Sequence, residues 1–204
     1  MVGYDIVPGR LAALTALGVV PADSPVAVAG ETEAVCTVLP SLAAVEEVIL
    51  GPDGLITVVR PDQPVVQMST ISPTLTERCA GALAARGLAF LDCPVSGTSG
   101  MIAQGDGILL IGGDRVLYER WRPVLDAIVP AAVHIGRPGQ AMMLKLIANL
   151  LVGLHSAAAA EALNLARRAG LDLPRALGVL GKSAEGRDIA MLTIALWAAY
   201  SLRL

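Results

Sequence analysis

The feature that most constrains this chain is a change of hydrophobic period near residue 136. Before it, short runs of Val, Leu and Ile alternate with longer stretches whose apolar residues recur at helical spacing. After it the short runs cease, and one apolar stretch continues from 140 to 169. Short apolar runs bounded by turn residues read as strands buried on both faces, and their alternation with helices implies a parallel sheet flanked by helices. The expected architecture is an α/β segment over 1–136 followed by an all-helical segment over 137–204.

Local chemistry sets the boundaries. Strands are expected over 2–4, 34–39, 64–69, 88–95, 108–111 and 132–135, and helices over 8–17, 42–50, 72–86 and 114–129. Pro8 suits a first helical turn, Ser41 and Ser72 are N-caps, and Gly87 is a C-terminal cap. Gly51-Pro52-Asp53-Gly54 is a turn by composition, and 96–107 is a polar, glycine-rich loop. In the second segment, helices are expected over 140–169 (stopped by Gly170), 174–180 and 188–202.

Composition narrows the partners. A net charge of −3 with no basic patch and no interleaved aromatics argues against nucleic acid. Cys36, Cys79 and Cys93 stand far apart, each without a second cysteine or a histidine nearby, which reads as free thiols and no metal site. With no secretory leader at Met1 and no disulfide pattern, the expected compartment is the cytoplasm. The stretch 141–163 is long and apolar enough to raise a membrane reading. Lys145, Asn149, His155 and Glu161 interrupt it, so a buried helix is expected and a membrane partner is not. The terminal run 191–202 is short for a bilayer.

Three kinds of segment could carry chemistry. Lys145 and Asn149 lie four residues apart, on one face of a helix whose neighbours are nearly all apolar. An ammonium in such surroundings loses basicity and can exchange protons near neutral pH, unless it simply extends its charge into water; the spacing leaves both readings open. Ser96, Gly97 and Thr98 follow a strand end, where open α/β sheets bind ligands, and a Ser-Gly turn suits a carboxylate. Leu39-Pro40 and Thr70 also follow strand ends on that edge, where they can touch a dinucleotide or merely lead into capped helices. His134 and His155, the two histidines, fall outside these groupings.

In order and spacing these segments resemble the β-hydroxyacid dehydrogenase family, the 3-hydroxyisobutyrate dehydrogenases and their 6-phosphogluconate dehydrogenase relatives. The resemblance rests on Leu39-Pro40, on Ser69-Thr70-Ile71 with Pro73, and on Asp92 with Pro94-Val95-Ser96-Gly97. It continues through Ile111-Gly112-Gly113, Gly136 and Gly139 with Lys145 and Asn149, Ala160-Glu161-Ala162, and Ala169-Gly170-Leu171-Asp172. It implies a Rossmann-like domain, then a helical domain, performing hydride transfer between a nicotinamide cofactor and a small hydroxy acid. By the same resemblance Lys145 is the catalytic lysine. Ser96, Gly97, Thr98 and Asn149 hold substrate, and Leu39, Pro40 and Thr70 contact cofactor. The long apolar helices of the second segment are expected to seek a partner, giving a homo-oligomer through the helical domain.

Asp5 ends the strand that corresponds to the family's second, where a carboxylate favours ribose hydroxyls over a 2′-phosphate; this points to NAD, with NADP not excluded. Ala148 stands where phosphogluconate-type relatives carry histidine, which points to small hydroxy acids, and the presence of Lys145 separates the chain from imine-reducing relatives. The first strand with its G-x-G-x-x-G turn has no counterpart here, so the sheet is expected to lack that strand and the helical domain to be incomplete. Thr98 replaces a glycine, Ala141 replaces another before the lysine, and neither Lys182 nor Arg187-Asp188 matches the family's later lysine-aspartate pair. The alternative expectation is a non-catalytic remnant that acts at most as an oligomerising module.

Overall fold

The computed structural model describes residues 1–180; the helix expected over 188–202, together with Lys182 and Arg187-Asp188, lies outside them. The chain forms two compact units, Met1–Leu146 and Ile147–Leu204.

The first unit opens with β1 (Val2–Gly3), α1 (Pro8–Thr15), β2 (Val20–Pro21) and α2 (Pro25–Glu31). It continues with β3 (Val35–Thr37), α3 (Leu42–Leu50), a 3₁₀ turn (Leu55–Thr57), β4 (Val65–Gln67) and α4 (Pro73–Ala84). Then come β5 (Phe90–Asp92), β6 (Val95–Ser96), α5 (Ser99–Ala103), β7 (Ile108–Gly113), α6 (Arg115–Ile128) and β8 (Ala131–Gly136). The expected caps form: Ser41 Oγ accepts from Ala44 N at 3.1 Å and Ser72 Oγ from Leu75 N at 3.2 Å. Gly87 closes α4 with φ +69°, while Leu88 N reaches back to the Leu83 carbonyl.

The strands form two sheets. β1 and β2 pair in parallel as a two-stranded ribbon, and β3, β4 and β5 pair in parallel within the main sheet. The wholly parallel sheet expected from the alternation ends there. β7 runs antiparallel to β5 and to β6, then takes β8 as a parallel neighbour. The reversal follows from chain length: only residues 97–107, with the short α5, join β6 to β7, too few for a parallel crossover. The strand expected over 88–95 divides at Cys93-Pro94. Its register against β7 nevertheless continues, since Leu110 N donates to the Pro94 carbonyl at 3.1 Å.

Two apolar clusters lie on the two faces of the main sheet. On one, Val35, Val65 and Phe90 meet Val45 and Ile49 of α3, Leu75, Cys79 and Leu83 of α4, and Met142. On the other, Val66, Met68, Leu91, Leu109 and Ile111 meet Tyr118 and Leu125 of α6. Helix α7 (Gln140–Arg168) gives its first seven residues to this unit.

In the second unit, the rest of α7 is followed by α8 (Leu173–Leu180). Gly170, at φ +74°, ends α7 as expected, and Leu171 N donates to the Ala166 carbonyl. The expectation of a buried helix does not hold in this chain. Leu150 is 60% exposed and Leu154 55%, and among the described apolar side chains only Leu163 is buried after residue 142. By length and composition α7 is the one described helix that could cross a membrane, and little of its apolar span is covered.

Candidate functional site

The last full rung of the main sheet is polar. Thr37, Gln67 and Asp92 are register partners across β3, β4 and β5, and Gly112 of β7 continues the row. The rung two residues earlier is Val35, Val65 and Phe90, on the same sheet face. All three polar side chains are buried. Such groups are costly unless hydrogen-bonded, so their bonds define what they do.

Gln67 fixes the end of its own strand. Its Nε2 donates to the Ser69 carbonyl at 2.9 Å and its Oε1 accepts from Ser69 N. The Ser69 hydroxyl oxygen then accepts from Leu39 N at 2.7 Å, tying the turn after β4 to the turn after β3. Asp92 fixes the start of α7: its Oδ2 accepts from Gly139 N at 3.0 Å and from Met142 N at 3.2 Å. Met142, fully buried, accepts from Ile71 N through Sδ at 3.4 Å. The C-terminal ends of three parallel strands are thus joined to each other and to the first turn of the helix that carries Lys145. This is the edge at which open α/β sheets bind ligands.

Lys145 is half-buried, and burial lowers its pKa from the ordinary lysine value. No protein hydrogen bond or ion pair engages its amine among the described residues. Ser96 ends β6 and is half-buried. Gly97 follows at φ +146°, where a side chain would be strained and a Cβ would sit 3.1 Å from Ile102 Cδ1. Thr98 caps α5, its Oγ1 accepting from Met101 N at 3.3 Å, which leaves its hydroxyl proton free to donate. Asn149 is exposed and belongs to the second unit.

On the cofactor side, Pro40 and Thr70 are exposed and Leu39 is half-buried, with its amide already given to Ser69. Asp5 follows β1, and its Oδ1 accepts from Val7 N at 2.8 Å, shaping the turn before α1. His134 Nε2 pairs with the Gly113 carbonyl at 2.9 Å, and His155 is exposed. No cluster of metal-ligating side chains occurs among the described residues. A cavity of roughly 350 Å³ lined by Glu33, Arg60, Asp62, Arg120 and Trp121 lies toward the opposite strand ends, since Glu33 and Asp62 precede β3 and β4.

Sequence reading assigned no role to Asp92, Gln67 or Ser69. The signal was present: Thr37, Gln67 and Asp92 each stand two residues past an apolar strand position, where a buried strand has no ordinary use for a polar side chain.

Comparison with known proteins agrees with this geometry. Residues 1–136 match the model of the NAD binding domain of 6-phosphogluconate dehydrogenase, and residues 139–193 match that of the NAD-binding domain of NADP-dependent 3-hydroxyisobutyrate dehydrogenase. The cofactor class is therefore NAD or NADP. The chain is 32% identical to 2-(hydroxymethyl)glutarate dehydrogenase of Eubacterium barkeri, over 92% of its own length and 62% of that protein's. It is 35% identical to 3-hydroxyisobutyrate dehydrogenase of Pseudomonas aeruginosa, over 92% and 63% respectively. Among solved structures, Mycobacterium tuberculosis 3-hydroxyisobutyrate dehydrogenase with L-serine superposes at a TM-score of 0.79 with 30% identity, covering 90% of this chain and 62% of that one. The chain spans less than two thirds of the length of these relatives. With family models matched over residues 1–136 and 139–193, and with relatives of 32% and 35% identity along 92% of its length, the chain belongs to the β-hydroxyacid dehydrogenase family.

Proposed function

We propose that the chain is the greater part of an oxidoreductase that interconverts a small hydroxy acid and its carbonyl form. The observation that carries this reading is Lys145: an amine with no protein partner among the described residues, its pKa lowered by burial, on a helix start bonded to the strand-end edge. In oxidation the neutral amine takes the proton of the substrate hydroxyl; in reduction the ammonium returns it to the carbonyl oxygen. The nicotinamide, when bound, accepts or supplies the hydride. The Ser96 hydroxyl, the backbone N–H of Gly97 and the Thr98 hydroxyl hold the substrate carboxylate, and Asn149, one helical turn beyond Lys145, contacts substrate as well.

Toward the cofactor, the described residues fit one part and not another. Pro40 and Thr70, exposed, and Leu39, half-buried, lie past the ends of β3 and β4, and Thr37 Oγ1 is buried there without a protein partner among the described residues. No described strand leads through a G-x-G-x-x-G turn into a helix, so the usual pyrophosphate cradle is not supplied by these residues. Asp5 Oδ2, unengaged by the turn among the described residues, suits the ribose hydroxyls of NAD. We assign a nucleotide-binding domain to 1–136 and a helical domain to 137–204, within the cytoplasm.

Titrating the chain with NAD while following the fluorescence of its two tryptophans, Trp121 and Trp197, tests cofactor binding, and turnover against a panel of 3-hydroxy acids tests the reaction. Lys145→Ala is expected to lower turnover by about 100-fold or more while leaving NAD affinity nearly unchanged. Near-normal turnover in that variant removes the proton-transfer role.

A second reading is favoured by the exposed apolar side chains of α7: an oligomerising module without catalysis. Self-association in sedimentation experiments, with no NAD-dependent fluorescence change, selects it.

A further inference from the structure

We infer that Asp92 is a positioning residue: its carboxylate, at the end of β5, holds the first turn of α7 in place and thereby sets the environment of Lys145. Asp92 is fully buried, and one oxygen, Oδ2, receives both Gly139 N at 3.0 Å and Met142 N at 3.2 Å. These are orphan donors of a helix start, and a carboxylate that accepts them is both a cap and a favourable charge at the positive end of the helix dipole. The strands are shaped to allow it. Opposite Asp92 stands Gly112, where a Cβ would lie 3.0 Å from Oδ2 and 3.0 Å from the Arg137 carbonyl. Gly139 itself sits at φ +88° with Glu77 Cγ only 2.9 Å from where its Cβ would be, so the turn that offers its amide to Asp92 admits little else.

Lys145 lies one turn beyond Met142 on the same helix, so a displaced first turn displaces the lysine with it. The anchor stands on the hydrogen bonds alone; its importance for catalysis rests on the reading of Lys145 given above. Burial raises the Asp92 pKa to about 6, while the amides of Met142 and Gly139 act to lower it. The titratable groups around it are Cys93 beside it, Glu77 of α4 against Gly139, and His134 of β8 on the Gly113 carbonyl; none bonds the carboxylate among the described residues.

The test uses the full chain and nuclear magnetic resonance. In Asp92→Ala, amide exchange at 139–145 is expected to quicken by tenfold to about a hundredfold, with α3 and α4 unaffected. The Lys145 ε-carbon titration moves up toward that of an ordinary lysine. Asp92→Asn, which keeps an acceptor oxygen, restores both. An unchanged Lys145 titration in Asp92→Ala, or exchange that rises equally in α3 and α4, overturns the proposal. Should Asp92→Ala fail to fold, the unmodified chain still decides: the Gly139 and Met142 amide shifts are expected to titrate together with a midpoint near 6, and flat shifts overturn it. Normal turnover in Lys145→Ala would remove the catalytic reading and leave these measurements untouched.

Discussion

The two faces of the main sheet differ in how far their cover extends. On one face α3, α4 and the first turn of α7 bury side chains from β3, β4 and β5 alike. On the other, α6 covers β4, β5 and β7 and stops short of β3, where Cys36 is exposed and Val38 is 77% exposed. β3 and the residue after it therefore have Val35 and Thr37 inside and Cys36 and Val38 outside. Strand propensity made these four residues look equivalent; only the number of helices available per face separates them.

The sharpest way to break the comparison is Leu83→Ala on the covered face. A fully buried side chain in close packing is expected to cost about 3 kcal/mol in urea unfolding. A change as small as that of a surface residue would show the cluster to be loosely packed. Next is the pH dependence of the same face. Asp92 is held at about 6 against an ordinary 3.8, so between those values the folded chain keeps a proton that the unfolded chain releases. Stability is then fully favoured at low pH and lost as pH rises through about 6, by up to about 3 kcal/mol. Comparing unfolding of the chain with that of Asp92→Asn from pH 4 to pH 8 isolates this slope, which the variant should lack.

Smallest is the bare corner. Val38→Ala is expected to change stability by less than about 0.5 kcal/mol. In the folded chain a thiol reagent should modify Cys36 well before Cys79 or Cys93, both of which are buried. Protection of Cys36 equal to that of Cys93 would mean that the second face is covered after all.

Much of this was legible from residues. Ser41 and Ser72-Pro73 flagged helix starts through a side chain that needs no tertiary partner, and Gly87 and Gly170 flagged helix ends for the same reason. Ser24-Pro25 carries the same signature as Ser72-Pro73 and caps α2, with Ala27 N donating to Ser24 Oγ at 3.1 Å, yet neither α2 nor the short β2 was expected. A two-residue strand and a seven-residue helix are below the length at which periodicity speaks. The antiparallel turn into β7 was hidden because single strands do not carry direction; the length of 97–107 did carry it. In the candidate site, the order of motifs named the residues proposed to face ligand. Of the residues that build the edge itself, Gln67 bonds Ser69 only two residues on, but Ser69 meets Leu39 across 30 positions and Asp92 meets Gly139 across 47, distances at which no sequence spacing speaks.

The division of the strands into a ribbon and a main sheet has a practical consequence. Among the described residues β1 pairs only with β2, and β3 only with β4, so each has a margin to which no described strand bonds. Along β3 that margin is centred on Cys36, since Val35 N and the Thr37 carbonyl bond toward β4, and no lysine or proline stands inside the strand to blunt it. Strand addition between chains is therefore a built-in route to aggregation at high concentration. Solubility screens would gain more from a lysine introduced along that margin than from any change to the core.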